Sequence, residues 1–296
     1  MMGLALGLLG AVLIGASDCI ARVTTQRVSN SVLILAIMAI STTLLTAWLV
    51  ITNDFPPFHP WAWLASAISG GLNVVALYLL YLALGRGPVA VASPAASTFA
   101  VILVLMNALS GEPWTALQVA AIVIVFCGVA MLSRQAPGKS QLQNQEYSTA
   151  WLQKTALFGL GAALAIALRM FLAQEATSEL GALHGLYLNR LFAMIACIML
   201  LAGQLLFSQS LRAPKDKKIL GLILLQSLLE MSALGAFLAG SFYGGRVSAG
   251  IGFSAFAAAA VIIARIFLGE LIGWWRALWI SVIGLGVILA IVGSPV

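Results

Sequence analysis

The sequence predicts an all-α, polytopic membrane protein with ten transmembrane helices arranged as two inverted five-helix repeats. Three observations carry this. First, 62% of the 296 residues are hydrophobic and only 8% are charged, with a mean hydropathy of +1.06. Soluble domains carry roughly 25% charged residues. Second, a bilayer-spanning helix needs about 20 mostly apolar residues, and ten stretches meet that length: 3–22, 31–52, 61–84, 89–109, 115–133, 153–174, 182–207, 218–241, 246–268 and 274–293. The runs are continuously apolar, whereas barrel strands alternate over about 10 residues. Third, the stretches fall into two similar sets of five. A unit with an odd number of crossings ends on the side opposite its start, so two copies in one chain lie upside down relative to each other.

The self-match is clearest at a shift of 158 residues. Gly111-Glu112 falls on Gly269-Glu270, Val89 on Val247 and Gly128-Val129 on Gly286-Val287. A shift of 152 lays Gly7-Leu8 on Gly159-Leu160, which implies a small length change within the units. The expected organisation is a first repeat over 1–133, a polar Pro- and Gly-containing cytoplasmic linker over 134–152, and a second repeat over 153–296.

Charge sets the expected orientation. Joining the spans puts Arg22, Arg27, Arg86, Arg134, Lys139, Lys154, Arg212, Lys215, Lys217, Lys218 and Arg276 on one side. Arg246, Asp54, Glu112, Glu175 and Glu179 fall on the other. Short loops rich in Lys and Arg stay in the cytoplasm, so both chain ends are expected to face away from it. The net charge of +6 therefore reads as a topology signal, and no nucleic-acid partner is expected. Cys19, Cys127 and Cys197 all fall inside spans without ligand spacing, so neither metal nor cofactor is expected. The first stretch follows no basic segment and is read as a retained span.

The repeats, the Gly-Glu pair after the fourth and ninth spans, and the run Gly15-Ala16-Ser17-Asp18-Cys19-Ile20-Ala21-Arg22 together resemble the drug/metabolite transporter superfamily, in particular its EamA-type members. A Trp-Gly pair is common before such a run; here Ile14 precedes Gly15. The resemblance covers the whole chain and implies export. Many members are drawn with cytoplasmic ends, opposite to the charge reading followed here.

A charge inside a bilayer costs at least about 2.5 kcal/mol on insertion scales, so polar residues within spans are the candidate site. Arg190, about 13 Å into the seventh span at 1.5 Å per residue, and Glu230 in the eighth are expected to meet. They form either a structural ion pair or part of a substrate and coupling site. Arg169 in the sixth span has no carboxylate within four residues, and a guanidinium binds carboxylate or phosphate through two prongs. Asn73 lies one residue from Glu230 under the 158 shift. Asn189, Gln226, Ser232 and Asn107 are cavity hydrogen-bonding groups or interhelical glue. His184, Tyr187 and Arg190 share a face. Tyr78 and Tyr81, with Phe253 and Phe256, are either core or a stacking surface.

Asp18 and Arg22 are expected to pair at i,i+4, and Arg265 to pair with Glu270 as an anchor or gate. Pro94 should kink the fourth span, and its repeat counterpart is Gly252. These features point to a secondary transporter, not an enzyme, that moves a small polar metabolite by alternating access. The cargo would be an amino acid or another carboxylate-bearing compound. A flippase for a lipid or phosphate headgroup is the alternative on the same scaffold. Expected partners are the substrate, membrane lipids and protons; the chain is a monomer or homodimer, in a bacterial inner membrane.

Overall fold

The computed structural model describes residues 2–86, 89–111, 115–134, 149–206, 211–214, 216–267 and single positions between 274 and 289. Eleven helices can be bounded among the described residues: α1 (Met2–Thr24), α2 (Asn30–Thr52), α3 (Pro60–Arg86), α4 (Val89–Ser97), α5 (Phe99–Leu109), α6 (Ala116–Arg134), α7 (Thr149–Leu180), α8 (Ala182–Leu206), α9 (Lys217–Gly244), α10 (Arg246–Ser254) and α11 (Phe256–Phe267). The described residues contain no strand. Seven helical segments among them are long and apolar enough to cross a membrane, α10 and α11 counting together as one.

The first nine expected spans each fall on one helix or on a consecutive pair. Most of the tenth, 274–293, lies outside the described residues, as do linker residues 135–148. The sixth span differs from expectation. α7 begins at Thr149 and runs to Leu180, because Gln153, Lys154, Gln174 and Glu175 are good helix formers at the ends of an apolar run. Tight turns then follow glycines in the left-handed region, Gly181 (φ 81°) between α7 and α8 and Gly245 (φ 90°) between α9 and α10. α3 starts on Pro60, where a missing amide hydrogen costs nothing. Asp216 caps α9 by accepting from the Lys218 amide at 3.0 Å.

The helices pack reciprocally across the chain. α1 lies along α9 and α3 along α7, α2 faces α8, and α4 and α5 pack on α11 and α10 respectively. The α1–α9 pair is antiparallel, since Gly3 meets Gly244 and Gly10 meets Ala233. Bilayer lipid is as apolar as these side chains, so association rests on close packing and on hydrogen bonds between helices. α1 shows the packing: a Cβ at Gly252 of α10 would sit 2.5 Å from the Leu4 carbonyl oxygen, and one at Gly7 would strike the Ala249 carbonyl.

Two spans are interrupted midway. α4 gives way to α5 at Thr98, and α10 to α11 at Ala255. Pro94 was the expected cause of the first bend, yet the interruption falls four residues later. There the Thr98 hydroxyl donates to the Ala95 carbonyl at 2.9 Å, competing with the helical bond to that acceptor. The second interruption carries the same device: Ser254 Oγ donates to the Ile251 carbonyl at 2.6 Å. The Ala255 amide then closes a tighter turn on Gly252 at 3.3 Å. Phe99 and Phe256, each the first residue after a break, meet with ring centroids 5.8 Å apart, and Phe253 packs on both.

The bundle ends are chemically distinct. One holds basic residues: Arg22 donates to the Leu84 carbonyl at 2.5 Å, Arg86 stacks on Trp151 at 4.5 Å, and Arg212 bonds to Ser29. The other holds the Arg246–Glu175 ion pair and two imidazole–carboxylate contacts, His184 with Asp54 at 3.3 Å and His59 with Glu179 at 3.7 Å.

Candidate functional site

A polar cluster lies at the centre of the bundle, built from α2, α3, α7, α8 and α9. Arg190 on α8 is 1% exposed, the largest side chain buried so completely among the described residues, and Glu230 on α9 is 2% exposed. Arg190 Nη1 donates to Glu230 Oε1 at 3.1 Å and Nη2 to the Glu230 main-chain carbonyl at 3.0 Å. Nη1 also lies 3.4 Å from Met38 Sδ on α2, which Asn73 Nδ2 of α3 reaches at 3.7 Å. Met38 thus joins Asn73 and Arg190 on one wall.

The other carboxylate oxygen of Glu230 accepts from the Tyr81 hydroxyl at 3.4 Å. Tyr81 accepts from Gln226 Nε2 at 2.8 Å, and Gln226 Oε1 accepts from Thr24 Oγ1 at 3.0 Å. This chain of bonds runs from the centre to the end of α1. Gln226 and Glu230 are four residues apart and so share a face of α9.

Arg169 on α7 completes the cluster. Its main-chain carbonyl accepts from Ser69 Oγ at 2.7 Å, and Ser69 Oγ accepts from Asn189 Nδ2 at 2.7 Å. The guanidinium, 7% exposed, is within electrostatic reach of Arg190 and Glu230. Its Nε and Nη1 find no hydrogen-bond partner among the described residues, nor do Arg190 Nε, Asn73 Oδ1, Asn189 Oδ1 and Ser66 Oγ. Buried polar groups are nearly always bonded, and leaving one unmatched costs about 1–3 kcal/mol. Several such groups lie close together on the three neighbouring helices α3, α7 and α8.

Five of the seven candidate binding residues therefore sit in or against this cluster: Arg190, Arg169, Glu230, Asn73 and Asn189. Tyr187 and Tyr78 are half-buried and pack into the apolar core around it. Ser69, Tyr81, Gln226, Thr24 and Met38 join it as well. The α3 members Ser66, Ser69 and Asn73 follow helical spacing, a signal readable in the sequence; a methionine used as an acceptor leaves none.

The expected Asp18–Arg22 pair does not form. Asp18 is buried and accepts from Ser93 Oγ of α4 at 2.6 Å, while Arg22 reaches Leu84. The interior of the bundle offers Asp18 a short hydroxyl, whereas the basic end offers Arg22 an open helix-terminal carbonyl. Arg265 is exposed on α11; Glu270 lies outside the described residues. Ser232 is exposed. Asn107 lies apart from the centre, donating to Gln174 Oε1 at 3.0 Å, and Gln174 donates to Ser241 at 2.9 Å. Above them Gln174, Thr177, Ser241 and Arg246 line a cavity of about 290 Å3 at the ion-paired end. Among the described residues no group of His, Cys, Asp and Glu is arranged to hold a metal.

Seven helical segments long and apolar enough to cross a membrane, packed around a buried and partly unmatched ionic centre, mark a polytopic membrane protein among the described residues. Residues 1–134 match the EamA-like transporter family, so the first part of the chain is similar to drug/metabolite transporters. A solved structure titled only as the crystal structure of a protein superposes with a TM-score of 0.73, covering 98% of this chain and 97% of that one at 15% identity. That likeness shows the fold alone. No curated protein matches the sequence.

Proposed function

We propose that the chain is a secondary transporter that holds the carboxylate of a small polar metabolite on Arg169 and Arg190, with Glu230 facing the rest of the cargo. The observation that carries this is the buried guanidinium of Arg169, whose Nε and Nη1 lack partners. Glu230 is engaged by Arg190 and Tyr81, and Asp18 by Ser93, so among the described residues of the cluster Arg169 is the cation whose side chain has no hydrogen-bond partner. Each of these N–H groups can donate a charge-assisted hydrogen bond to a carboxylate oxygen. An amino acid satisfies both signs, its carboxylate on Arg169 and its ammonium near Glu230 or the Asn73 and Asn189 oxygens.

The halves work as inverted repeats that rock about this centre. The reciprocal packing supports that reading, with the first helix of each half lying on the third of the other. So do the two mid-span breaks with their hydroxyl back-bonds and facing phenylalanines. The basic end faces the cytoplasm of a bacterial inner membrane, the direction is export, and a proton or substrate gradient drives it.

Thermal-shift measurements on the purified protein against amino acids, organic acids and amines test the site. Compounds with a carboxylate should stabilise wild type and lose that effect in Arg169→Gln. Stabilisation by amines alone, or an unchanged response in the variant, would overturn the assignment. Uptake of the hits into vesicles with and without a pH gradient identifies the driving ion.

A further inference from the structure

At the basic end two cavities meet. One, about 680 Å3, is lined by Arg27, Arg212, Asp216 and Lys218 together with apolar residues. The other, about 460 Å3, is a groove between α1, α9 and α11 lined by Ala16, Cys19, Ile20, Leu225, Ile263 and Phe267. Val23 and Leu222 line both, so the two adjoin, a cationic mouth beside an apolar groove.

We propose that these adjoining cavities hold one anionic phospholipid, with its phosphate among Arg27, Arg212 and Lys218 and an acyl chain along the α1–α9–α11 groove. A free anion would use only the mouth and a hydrocarbon only the groove; a phospholipid matches both at once. Basic pockets between helices at a membrane surface suit such headgroups. Among the described residues lining the mouth, Arg27, Arg212 and Lys218 outnumber the single carboxylate Asp216, which caps α9 by accepting from the Lys218 amide, so the mouth is net positive. The placement of these cations is fixed by backbone. The Ser29 amide donates to the Arg212 carbonyl at 3.1 Å, and the Arg212 amide donates to Ser29 Oγ at 2.8 Å. These bonds hold the segment before α9 against the turn carrying Arg27. The site is separate from the central cluster, although α9 serves both: Leu225 and Leu229 face the groove, while Gln226 and Glu230 face inward. Lipid occupancy therefore bears on the helix that carries Glu230.

Native mass spectrometry of the detergent-purified protein with phosphatidylglycerol, phosphatidylcholine or inorganic phosphate tests this. Wild type should retain one phosphatidylglycerol in preference to phosphatidylcholine, and millimolar phosphate should not displace it. Each of Arg27→Gln, Arg212→Gln and Lys218→Gln should cut the preference roughly fivefold, and the triple variant should abolish it. Leu225→Trp, which fills the groove, should lower retention of both lipids. Equal retention of the two lipids by wild type, single Gln variants that keep the full preference, displacement by phosphate, or a Leu225→Trp variant that retains lipid as wild type does would each overturn the proposal.

Discussion

Arg190 grips Glu230 twice, through the carboxylate at 3.1 Å and through the main-chain carbonyl at 3.0 Å. The second bond ties the guanidinium to the backbone of α9, so the side chain of Glu230 can change partner without releasing α8. A pair needed only for stability gains little from that freedom; a carrier that must exchange counter-ions during its cycle does.

Glu230→Gln leaves Arg190 as an uncompensated buried cation and should destabilise the protein by about 3–5 kcal/mol. The double variant Arg190→Leu/Glu230→Leu should recover most of that loss while abolishing transport. Thermal unfolding in detergent and vesicle uptake, measured on the same preparations, separate the two effects. A double variant that still transports would show the pair to be structural.

Arg169→Gln should weaken binding of a carboxylate ligand by about tenfold to a hundredfold, since a charged hydrogen bond is worth about 1.5–3 kcal/mol. It should not lower thermal stability, because the Arg169 bond to Ser69 uses the main-chain carbonyl. Arg169→Lys retains charge but not the planar set of N–H donors and should recover only part of the affinity. Titration by calorimetry checks both.

The helix breaks make a kinetic prediction. Thr98→Val and Ser254→Ala each remove a hydroxyl back-bond and should let the interrupted spans straighten. Together they should slow turnover at saturating substrate more than they weaken binding. Faster hydrogen exchange around 95–99 and 251–256 in wild type than in the double variant would accompany this, whereas identical exchange would dissociate the hydroxyls from the bends.

Glycine contacts provide a paired control. Gly252→Leu forces a side chain into the α1 backbone near Leu4 and should cost at least about 1–3 kcal/mol as overpacking. Gly71→Ala, with nothing within 4 Å of its added Cβ, should be neutral or slightly stabilising. Melting temperatures of the two variants decide it.

Orientation is open to a fusion experiment. An alkaline phosphatase placed after Val296 should be active in intact cells, because that enzyme works only outside the cytoplasm. Activity from a cytoplasm-only reporter there would instead reverse the reading of the basic loops.

Much of the site could be read from the sequence because the bilayer penalises charge so heavily. Arg169, Arg190 and Glu230 stood out against an apolar background, and the structure brings them within electrostatic reach. What escaped is what depends on tertiary partners. Asp18 and Arg22 have the spacing of a helical ion pair, yet each finds a better acceptor or donor on another helix. Pro94 marked the right span, while its interruption falls four residues on, at Thr98, where a hydroxyl back-bond to Ala95 accompanies it. Tyr81 and Gln226 are ordinary in sequence; only the approach of α3 to α9 joins them to Glu230.

The first half of the molecule is short of neighbours until the second half arrives. α1 packs chiefly on α9, α10 and α11, and α3 chiefly on α7, so the earliest segments to leave the ribosome wait for the latest. Until then the glycine-lined face of α1 and the serines of α3 stand in lipid or against the insertion machinery. A nascent chain halted near residue 134 should be a target for membrane proteolysis, and co-expression of the missing half should rescue it.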